Sequence, residues 1–473
     1  MGVLKHKVFL LIFLLFLVLK VFSLFVAHDI WWDSSVYLGM GKYIYSFGDV
    51  GLWEASRPLI WPLILGFLWK IGFDAIFFGK LAVIAFSSGI LLLTYIIAHE
   101  LFNKKIAVLS AFFLALSSTF FLFGNVLHSE IPSTFFVMLG FYYFIKQKYN
   151  ISGLFLGIAF MTRFFQIFAF IPLVLLLFYL VVKKKKAYKT LFYFSMFFLI
   201  PVVPYLILNY ILYNNIFYPF LLQSWMSKYT GLIFSQPFYF YFVNLVKENV
   251  LSLFSILGLL FIFKKYDFKK LTIAIVFLFV FIPYNLVAHK EMRLLITALP
   301  FLYILTGYGI FYFTKKFFEF FVSRKSKIFM DISFFNKNRN LLLSLLLIIF
   351  LIINVPKLRF NHYEDNLDVF YDYIGNEEIS SELWISNPAF IAYSNVKADL
   401  IYYPLYNSKK IDILTDDIDN AEHILINTCD LLPCPVSDNT CSQKHDNFIN
   451  LLENRFNMPY YNEFNQCGYY IFN

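Results

Sequence analysis

The sequence predicts an all-α polytopic membrane domain followed by a small soluble α+β domain at the C-terminal end. Of the 473 residues, 60% are hydrophobic and only 15% are charged, unlike a soluble globular protein. Apolar runs long enough to cross about 30 Å of hydrocarbon recur along most of the chain. After Pro356 the composition turns acidic and the long apolar runs stop, which indicates a change of solvent.

The net charge of +9 divides into two opposite parts. From Lys357 to the C-terminus the chain has 7 Lys and Arg against 18 Asp and Glu, which leaves 32 against 12 of the totals of 39 and 30 for the membrane part. The basic residues of that part cluster in short loops between apolar runs. Positive-inside topology explains such loops as cytoplasmic, so the charge does not indicate nucleic-acid binding.

Placing those loops in the cytoplasm requires successive spans to alternate sides, and eleven spans satisfy this condition. The predicted spans are approximately residues 8–27, 75–98, 106–124, 131–145, 151–162, 164–182, 190–212, 243–263, 271–288, 294–314 and 340–356. One long tilted helix over 151–182 is an alternative to two short spans that meet near Arg163. A cleaved signal peptide ending near Ala27 is an alternative to the first span.

This topology places the N-terminus in the cytoplasm and the C-terminal domain outside, in a prokaryotic plasma membrane rather than an endoplasmic reticulum. The membrane domain covers 1–356 and the extracytoplasmic domain covers 357–473. The first outer segment, 28–72, contains two amphipathic or apolar stretches, 36–45 and 58–71. They are too short to span and are predicted to be interfacial helices.

All four cysteines lie in the domain placed outside. They are Cys429, Cys434, Cys441 and Cys467. An even number in an extracytoplasmic domain predicts two disulfides, whose pairing the sequence does not fix. A zinc site is the alternative, although zinc sites usually contain a tighter Cys-x-x-Cys pair.

Charged residues beside spans on the outer face are functional candidates, because such charges are costly unless they are paired or used. The first cluster contains Asp29, Asp33 and Tyr37. If the stretch is helical, the two aspartates share a face, and one carboxylate could accept the proton of an acceptor hydroxyl. The alternative is an aromatic belt of Trp31, Trp32 and Tyr37 with acids that face water.

Two further clusters follow along the outer face. One contains Glu54 and Arg57, and the other contains His128 and Glu130. Glu130 is a second candidate catalytic carboxylate. Because it begins a predicted span, complementing the positive end of that helix is the alternative explanation.

The most concentrated polar cluster lies in the predicted turn between the ninth and tenth spans. It consists of His289, Lys290, Glu291 and Arg293. Together with Arg163, the cations of this turn are predicted to neutralise a phosphate diester whose lipid tail lies in the bilayer, a task for which the arginine fork is well shaped. Snorkelling, or ion pairing with Glu291 or Glu130, is the alternative.

These motifs resemble those of the GT-C superfamily of integral-membrane glycosyltransferases. Asp33 in Trp-Asp-Ser-Ser-Val-Tyr and the segment Arg-Pro-Leu-Ile-Trp-Pro-Leu at 57–63 are similar to the first loop of the protein-mannosyltransferase and aminoarabinose-transferase branch. The turn His-Lys-Glu-Met-Arg at 289–293 resembles the signature of dolichyl-phosphate-mannose-dependent mannosyltransferases. Ser34 stands where the family usually has a second acid, and Leu294 where it has Phe.

The resemblance implies transfer of a single, mannose-like hexose from a polyprenyl- or dolichyl-phosphate donor to a lipid-linked glycan or protein acceptor, with inversion. It implies Asp33 as the base, and Arg57, Lys290 and Arg293 as contacts of the donor. No cofactor and no divalent metal is required by this interpretation. The alternatives are a transporter or flippase of lipid-linked sugars, which needs charges at mid-depth, and a noncatalytic glycan-binding subunit.

Overall fold

The computed structural model describes residues 6–26, 30–264, 267–324, 347–348, 350–360, 373, 383–401, 407–428, 434, 438–458, 460–464 and 467–473. The membrane part contains the following helices. They are α1 (Lys7–Phe22), α2 (Trp32–Tyr45), α3 (Ile60–Lys70), α4 (Ala75–Leu101), α5 (Lys104–Ala115), α6 (Ser118–Phe123), α7 (Glu130–Ile145), α8 (Tyr149–Thr162), α9 (Ile167–Val182), α10 (Tyr188–Tyr213), α11 (Tyr218–Ile233), α12 (Phe240–Glu248), α13 (Phe254–Lys264), α14 (Phe268–Leu286) and α15 (Leu299–Arg324).

Five helical stretches in the described residues are long and apolar enough to cross a membrane. They are Lys7–Phe25, Ala75–Leu101, Phe164–Val182, Tyr188–Tyr213 and Phe268–Leu286. Shorter apolar helices lie at Ile60–Lys70, Glu130–Ile145, Tyr149–Thr162 and Val250–Lys264. The multi-helical membrane domain is therefore confirmed, whereas the count of eleven spans stays a prediction. The last predicted span lies largely outside the described residues, of which 350–354 are helical.

Several helix boundaries differ from the predicted spans for local reasons. The predicted pair of helices that meet near Arg163 is confirmed, because α8 ends at Thr162 and a 3-10 turn, Phe164–Gln166, leads into α9. The span predicted at 106–124 is divided into α5 and α6, since Ser117 caps the second of these helices. The span predicted at 243–263 is divided into α12 and α13 at Asn249.

The two helices of the first outer segment confirm the helices predicted at 36–45 and 58–71. They cross closely at a pair of glycines. A Cβ on Gly41 would lie 2.5 Å from the carbonyl oxygen of Pro62, and one on Gly66 would lie 2.4 Å from that of Gly41. Only glycine allows this approach, which fixes the direction in which α2 presents its side chains.

The C-terminal domain is a small α+β unit, as predicted. It contains β1 (Leu383–Ile385), β2 (Ala398–Leu400), α16 (Ser408–Asp416), β3 (His423–Asn427), α17 (Cys441–Arg455), β4 (Tyr460–Phe464) and β5 (Cys467–Phe472). The sheet has the strand order β2-β1-β3-β5-β4, parallel on one side and antiparallel on the other. Cys434 and Cys441 form a disulfide and Cys467 is disulfide-bonded, while Cys429 lies outside the described residues.

The C-terminal domain docks directly on α2. Val36 and Met40 pack into the core that also contains Leu383 and Ile385 of β1. Lys42, almost fully buried, donates hydrogen bonds to the carbonyls of Ile391 (2.8 Å), Ala392 (3.2 Å) and Ser394 (2.7 Å). One face of α2 is thereby bound to the soluble domain, which leaves another face for the membrane part.

Candidate active site

Asp33 is the point where three distant parts of the chain meet. Its position in the first turn of α2 brings the carboxylate between two guanidinium groups. Oδ1 lies 2.7 Å from Nη2 of Arg57, and Oδ2 pairs with Nη1 of Arg293. Burial alone would raise the pKa of Asp33, but the attraction of both arginines outweighs it and places the pKa well below its usual range. The carboxylate is therefore ionised at neutral pH.

Each of the two arginines also binds a second carboxylate. Nε of Arg57 lies 2.8 Å from Oε1 of Glu54, and Nε of Arg293 lies 2.7 Å from Oε2 of Glu291. Burial raises the pKa of Glu291, but Arg293 and the hydrogen bond from His289, 2.6 Å long, lower it to about 2. Carboxylate and guanidinium groups thus alternate through the cluster, with Asp33 at its centre.

Glu130 and Arg163 form a separate ion pair in the same region. Glu130 is the first residue of α7, and Arg163 lies at the break between α8 and α9. Their Oε1 and Nη1 atoms are 2.8 Å apart, and Nη1 also donates a longer hydrogen bond of 3.4 Å to Oγ of Ser129. The helix break predicted from the sequence therefore serves to place one guanidinium beside the start of α7.

His128 lies behind Arg293 and is 1% exposed. Its Nδ1 accepts a hydrogen bond of 3.3 Å from Nη1 of Arg293, and its ring packs edge-on against Trp31. Burial and the positive charge of Arg293 lower the pKa of His128 to about 4. The imidazole is therefore neutral at physiological pH and supports the guanidinium without competing for Asp33.

Tyr37 supports Arg57 in a similar way. Its ring lies under the guanidinium, with the carbon of that group 5.3 Å from the ring centre, and its hydroxyl hydrogen-bonds to Oγ of Ser129 at 2.9 Å. An aromatic face attracts a cation by its quadrupole. Tyr37 thus links the Asp33 cluster to the Glu130–Arg163 pair through Ser129.

The two groups of charges line one central cavity of about 140 Å³. Its lining residues are Asp33, Arg57, Glu130, Arg163, Phe165, Gln223, Met226, Ser227, Tyr284, Val287, His289, Arg293 and Leu294. Two carboxylates and three guanidinium groups face this space together. Such an arrangement suits a ligand that combines a phosphate with a group to be deprotonated or hydrogen-bonded.

Comparison with known proteins bears on this architecture. A family model described as dolichyl-phosphate-mannose-protein mannosyltransferase matches residues 56–208. ArnT from Cupriavidus metallidurans, solved bound to undecaprenyl phosphate, is similar over 97% of each chain with a TM-score of 0.62 and 12% identity. At this level of identity the comparison shows a shared fold: the chain has the fold of ArnT over nearly its whole length.

Two further relatives widen the comparison. The archaeal oligosaccharyltransferase AglB from Archaeoglobus fulgidus, solved with an inhibitory peptide and a dolichol-phosphate, is similar over 90% of this chain and 70% of its own, with a TM-score of 0.57 and 11% identity. An uncharacterized protein of Aquifex aeolicus (strain VF5) is 26% identical over 234 residues, which span about half of each chain, 49% of this one and 54% of the relative.

Lys290 lies away from the position that the sequence motif suggested. Its ammonium group donates to the carbonyls of Val287 (2.6 Å) and Gln236 (2.9 Å), and it does not line the central cavity. The backbone at Glu291 is extended, so His289 and Glu291 point to one side and Lys290 to the other. Lys290 therefore fixes the turn to the loop after α11, and its contact with a donor stays a prediction.

The other predicted residues fall into three groups. Asp33, Arg57, Glu130, Arg163, His289 and Arg293 line the central cavity. Tyr37, Glu54, His128 and Glu291 contact lining residues from behind. Asp29 lies outside the described residues.

The sequence carries no signal for the contribution of α11 and α14 to the central cavity. Gln223, Met226 and Ser227 line it from α11, and Tyr284 lines it from α14, stacked on Phe165 at 4.9 Å between ring centres. These are ordinary polar and apolar residues without a charged motif. Only the packing of α11 and α14 against the other helices brings them to the cavity.

Proposed function

We propose that the protein is a glycosyltransferase that transfers one sugar, a mannose-like hexose, from a polyprenyl- or dolichyl-phosphate donor to a lipid-linked glycan or protein acceptor, with inversion. The observation that carries this proposal is the ionised carboxylate of Asp33 between Arg57 and Arg293, at a cavity that Arg163 also lines. A base and several phosphate-binding cations in one enclosed site are the two requirements of transfer from a lipid phosphate.

The proposed step is a single displacement at the anomeric carbon. The acceptor oxygen forms a bond to that carbon as its proton passes to the Asp33 carboxylate, and the bond from the carbon to the phosphate oxygen breaks with its electron pair going to the phosphate. Arg57, Arg163 and Arg293 stabilise the charge that develops on the leaving phosphate. Because one displacement replaces one bond by another on the opposite side, the anomeric configuration inverts.

The ion pairs of Asp33 indicate how donor and base are coupled. With both carboxylate oxygens paired to arginines, Asp33 is a weak base. A donor phosphate competes for the same guanidinium groups, and each contact that it takes over removes stabilisation from the ionised carboxylate. In this proposal, donor binding itself raises the basicity of Asp33, so the base becomes effective only when there is a sugar to transfer.

The choice of donor is supported by what the similar proteins contain. ArnT was solved with undecaprenyl phosphate and AglB with a dolichol-phosphate, and the matching family model is described as dolichyl-phosphate-mannose-protein mannosyltransferase. The basic loops support a cytoplasmic N-terminus and an extracytoplasmic site, and the Cys434–Cys441 disulfide accords with an oxidising compartment.

The test is Asp33→Asn in purified protein supplied with radiolabelled polyprenyl-phosphate hexoses and a membrane extract as the source of acceptors. Transfer is expected to fall about 100-fold or more, because a general base typically contributes that much. Asp74→Asn is the matched control: this exposed aspartate caps α4, and asparagine caps helices equally well. Transfer that survives Asp33→Asn at the wild-type rate, with normal expression, rules out the role of Asp33.

A further inference from the structure

A second cavity, of about 530 Å³, adjoins the Asp33 cluster at Met292, the residue before Arg293. It is formed by α6, α12, the 3-10 turn Met292–Leu295 and the chain that follows the 3-10 turn Val355–Lys357. We name it the cationic cavity. Its size falls within the range typical of small-molecule sites, and no predicted catalytic or donor-binding residue lines it.

One thin partition separates the two cavities. Phe123 and Met292 line the cationic cavity, whereas Arg293, the next residue, lines the central cavity. Trp31 fills the space between them: its ring meets Phe123 edge-on at 5.3 Å, and the guanidinium of Arg293 lies over it at 5.7 Å. Since Trp31 stands two residues before Asp33, the cationic cavity adjoins the proposed base.

The charge on the walls of this cavity is strongly unbalanced. Lys247, Lys357 and Arg359 contribute three cations, and Glu248 is the one acid among the lining residues. Glu248 is turned toward the start of α6, where its carboxylate accepts hydrogen bonds from the Thr119 hydroxyl (2.6 Å) and the Thr119 amide (3.3 Å). Its charge is therefore used in capping a helix, and the open side of the cavity is basic.

Backbone contacts of Lys357 fix the positions of these cations. The ammonium of Lys357 donates to the carbonyls of Lys247 (2.9 Å) and Glu248 (3.2 Å), which binds the chain after the last membrane helix to the end of α12. This contact brings Arg359 to the same cavity as Lys247. Phe123 and Met292 supply an apolar side opposite.

We propose that the cationic cavity binds the phosphate-bearing headgroup of an amphiphile. Cations on one side suit a phosphate, and the apolar side suits the first carbons of the attached chain or a sugar face. The identity of the occupant rests on the proposed transferase activity. We assign the acceptor lipid, because a single displacement requires the acceptor to reach the anomeric carbon from the side opposite the leaving phosphate. A membrane phospholipid presents the same chemistry and is the other source.

The experiment uses the full chain in phosphatidylcholine nanodiscs without added polyprenyl phosphate, and substitutions confined to the cationic cavity distinguish it from the central cavity. Binding of dihexanoyl phosphatidic acid is compared with binding of dihexanoyl phosphatidylcholine. The wild-type protein is expected to prefer phosphatidic acid at least tenfold, and the variant Lys247→Gln with Arg359→Gln is expected to lose that preference, since contacts to a charged group are commonly worth a factor of roughly ten or more.

The matched control is Lys183→Gln with Lys185→Gln, which removes two exposed cations at the far end of α9. It is expected to bind as the wild type does. A preference that persists in the Lys247 and Arg359 variant overturns the proposal, as does a wild-type protein without preference. Since both substituted side chains are exposed, the variant is expected to fold, and its elution profile and melting temperature verify this.

Competition identifies the source of the headgroup. Displacement of phosphatidic acid by phosphatidylglycerol in the disc indicates a membrane phospholipid, and displacement by a polyprenyl-diphosphate disaccharide indicates an acceptor. Either result supports a phosphate-bearing amphiphile as the ligand. If neither compound displaces phosphatidic acid, the proposal is overturned. Sugar transfer is measured on the same discs. A wild-type protein that transfers sugar but does not prefer phosphatidic acid refutes this inference alone, whereas a wild-type protein that keeps the preference but transfers no sugar refutes only the proposed activity.

Discussion

Asp33 and Glu130 are two carboxylates that line one cavity, each near the beginning of a helix and each paired with arginine, yet their surroundings differ. The side chain of Asp33 is 19% exposed and lies between guanidinium groups from two distant segments. The side chain of Glu130 is 4% exposed and pairs with one guanidinium, that of Arg163, with Nδ1 of His128 at 3.9 Å. The more open acid can meet a substrate, whereas the buried one serves to fix a cation. In the proposed reaction, this difference in access favours Asp33 over Glu130 as the base.

The largest expected effect concerns the cation that Asp33 shares with a donor. Arg293→Lys keeps the charge but removes the fork that engages Asp33 and Glu291 together. Sugar transfer is expected to fall about 100- to 1,000-fold, as when one group that stabilises developing charge is lost. Initial rates with labelled donor measure it, with Arg455→Lys on the exposed surface as control. Transfer within a factor of three of the wild type would separate Arg293 from the reaction.

Replacing Glu130 tests the difference between the two carboxylates, because its loss is expected to lower the stability of the protein. Glu130→Gln leaves the charge of Arg163 without its carboxylate, and breaking such a pair costs about 3 kcal/mol or more. The apparent melting temperature in detergent is expected to drop in Glu130→Gln and to change little in Asp33→Asn.

Combining Glu130→Gln with Arg163→Met is expected to recover part of that stability, because the unpaired charge is then removed, while transfer stays low. A Glu130→Gln protein that melts like the wild type but transfers no sugar would mean that Glu130 shares the chemical role assigned to Asp33.

A smaller effect is expected from the contact that fixes the other face of α2. Lys42→Met leaves three backbone carbonyls of 391–394 without their donor, at a cost of roughly 1–3 kcal/mol. Hydrogen exchange of the amides at 389–398 is expected to accelerate, and transfer is expected to fall modestly because Asp33 lies on the same helix. Lys70→Met, at the exposed end of α3, is the control. Unchanged exchange would show that α2 needs no support from the C-terminal domain.

The smallest expected effect is that of pH. A carboxylate whose pKa lies below its usual range stays ionised as pH falls, and so keeps its ion pairs until the pH approaches that lowered value. His128, with a pKa of about 4, stays neutral over the same range. The transfer rate, measured at donor concentrations well below saturation so that it reports the groups of the free protein, is expected to vary less than about twofold between pH 5 and pH 7. A tenfold loss across this interval would show that another group titrates in the reaction.

The sequence predicted much of the architecture because the signals involved are local. Apolar run length and basic loops predicted a membrane domain, and the cysteines with the acidic composition predicted a separate outer domain. The break near Arg163 was predicted from the side preference of flanking lysines. The divisions at Ser117 and Asn249 were not, because capping by a single polar side chain inside an apolar stretch leaves the hydropathy pattern unchanged.

For the site, the charged motifs predicted most of the side chains that come together, but not the direction in which each one points. Asp33, Arg57 and Arg293 converge as the resemblance implied, whereas Lys290 turns away because an extended backbone alternates its side chains. Gln223, Met226 and Tyr284 carried no signal. Their contribution depends on how α11 and α14 cross the bundle.

By itself, the sequence determined the solvent of each part of this protein, the number of charged clusters and the kind of chemistry that their side chains allow, because hydrophobicity and charge are properties of short segments. Only the tertiary structure decided which carboxylate is shared between two arginines and which carboxylate is buried beside one arginine. It also decided that Trp31 lies between two cavities. Those distances join residues hundreds of positions apart, and only the packing of helices against one another sets them.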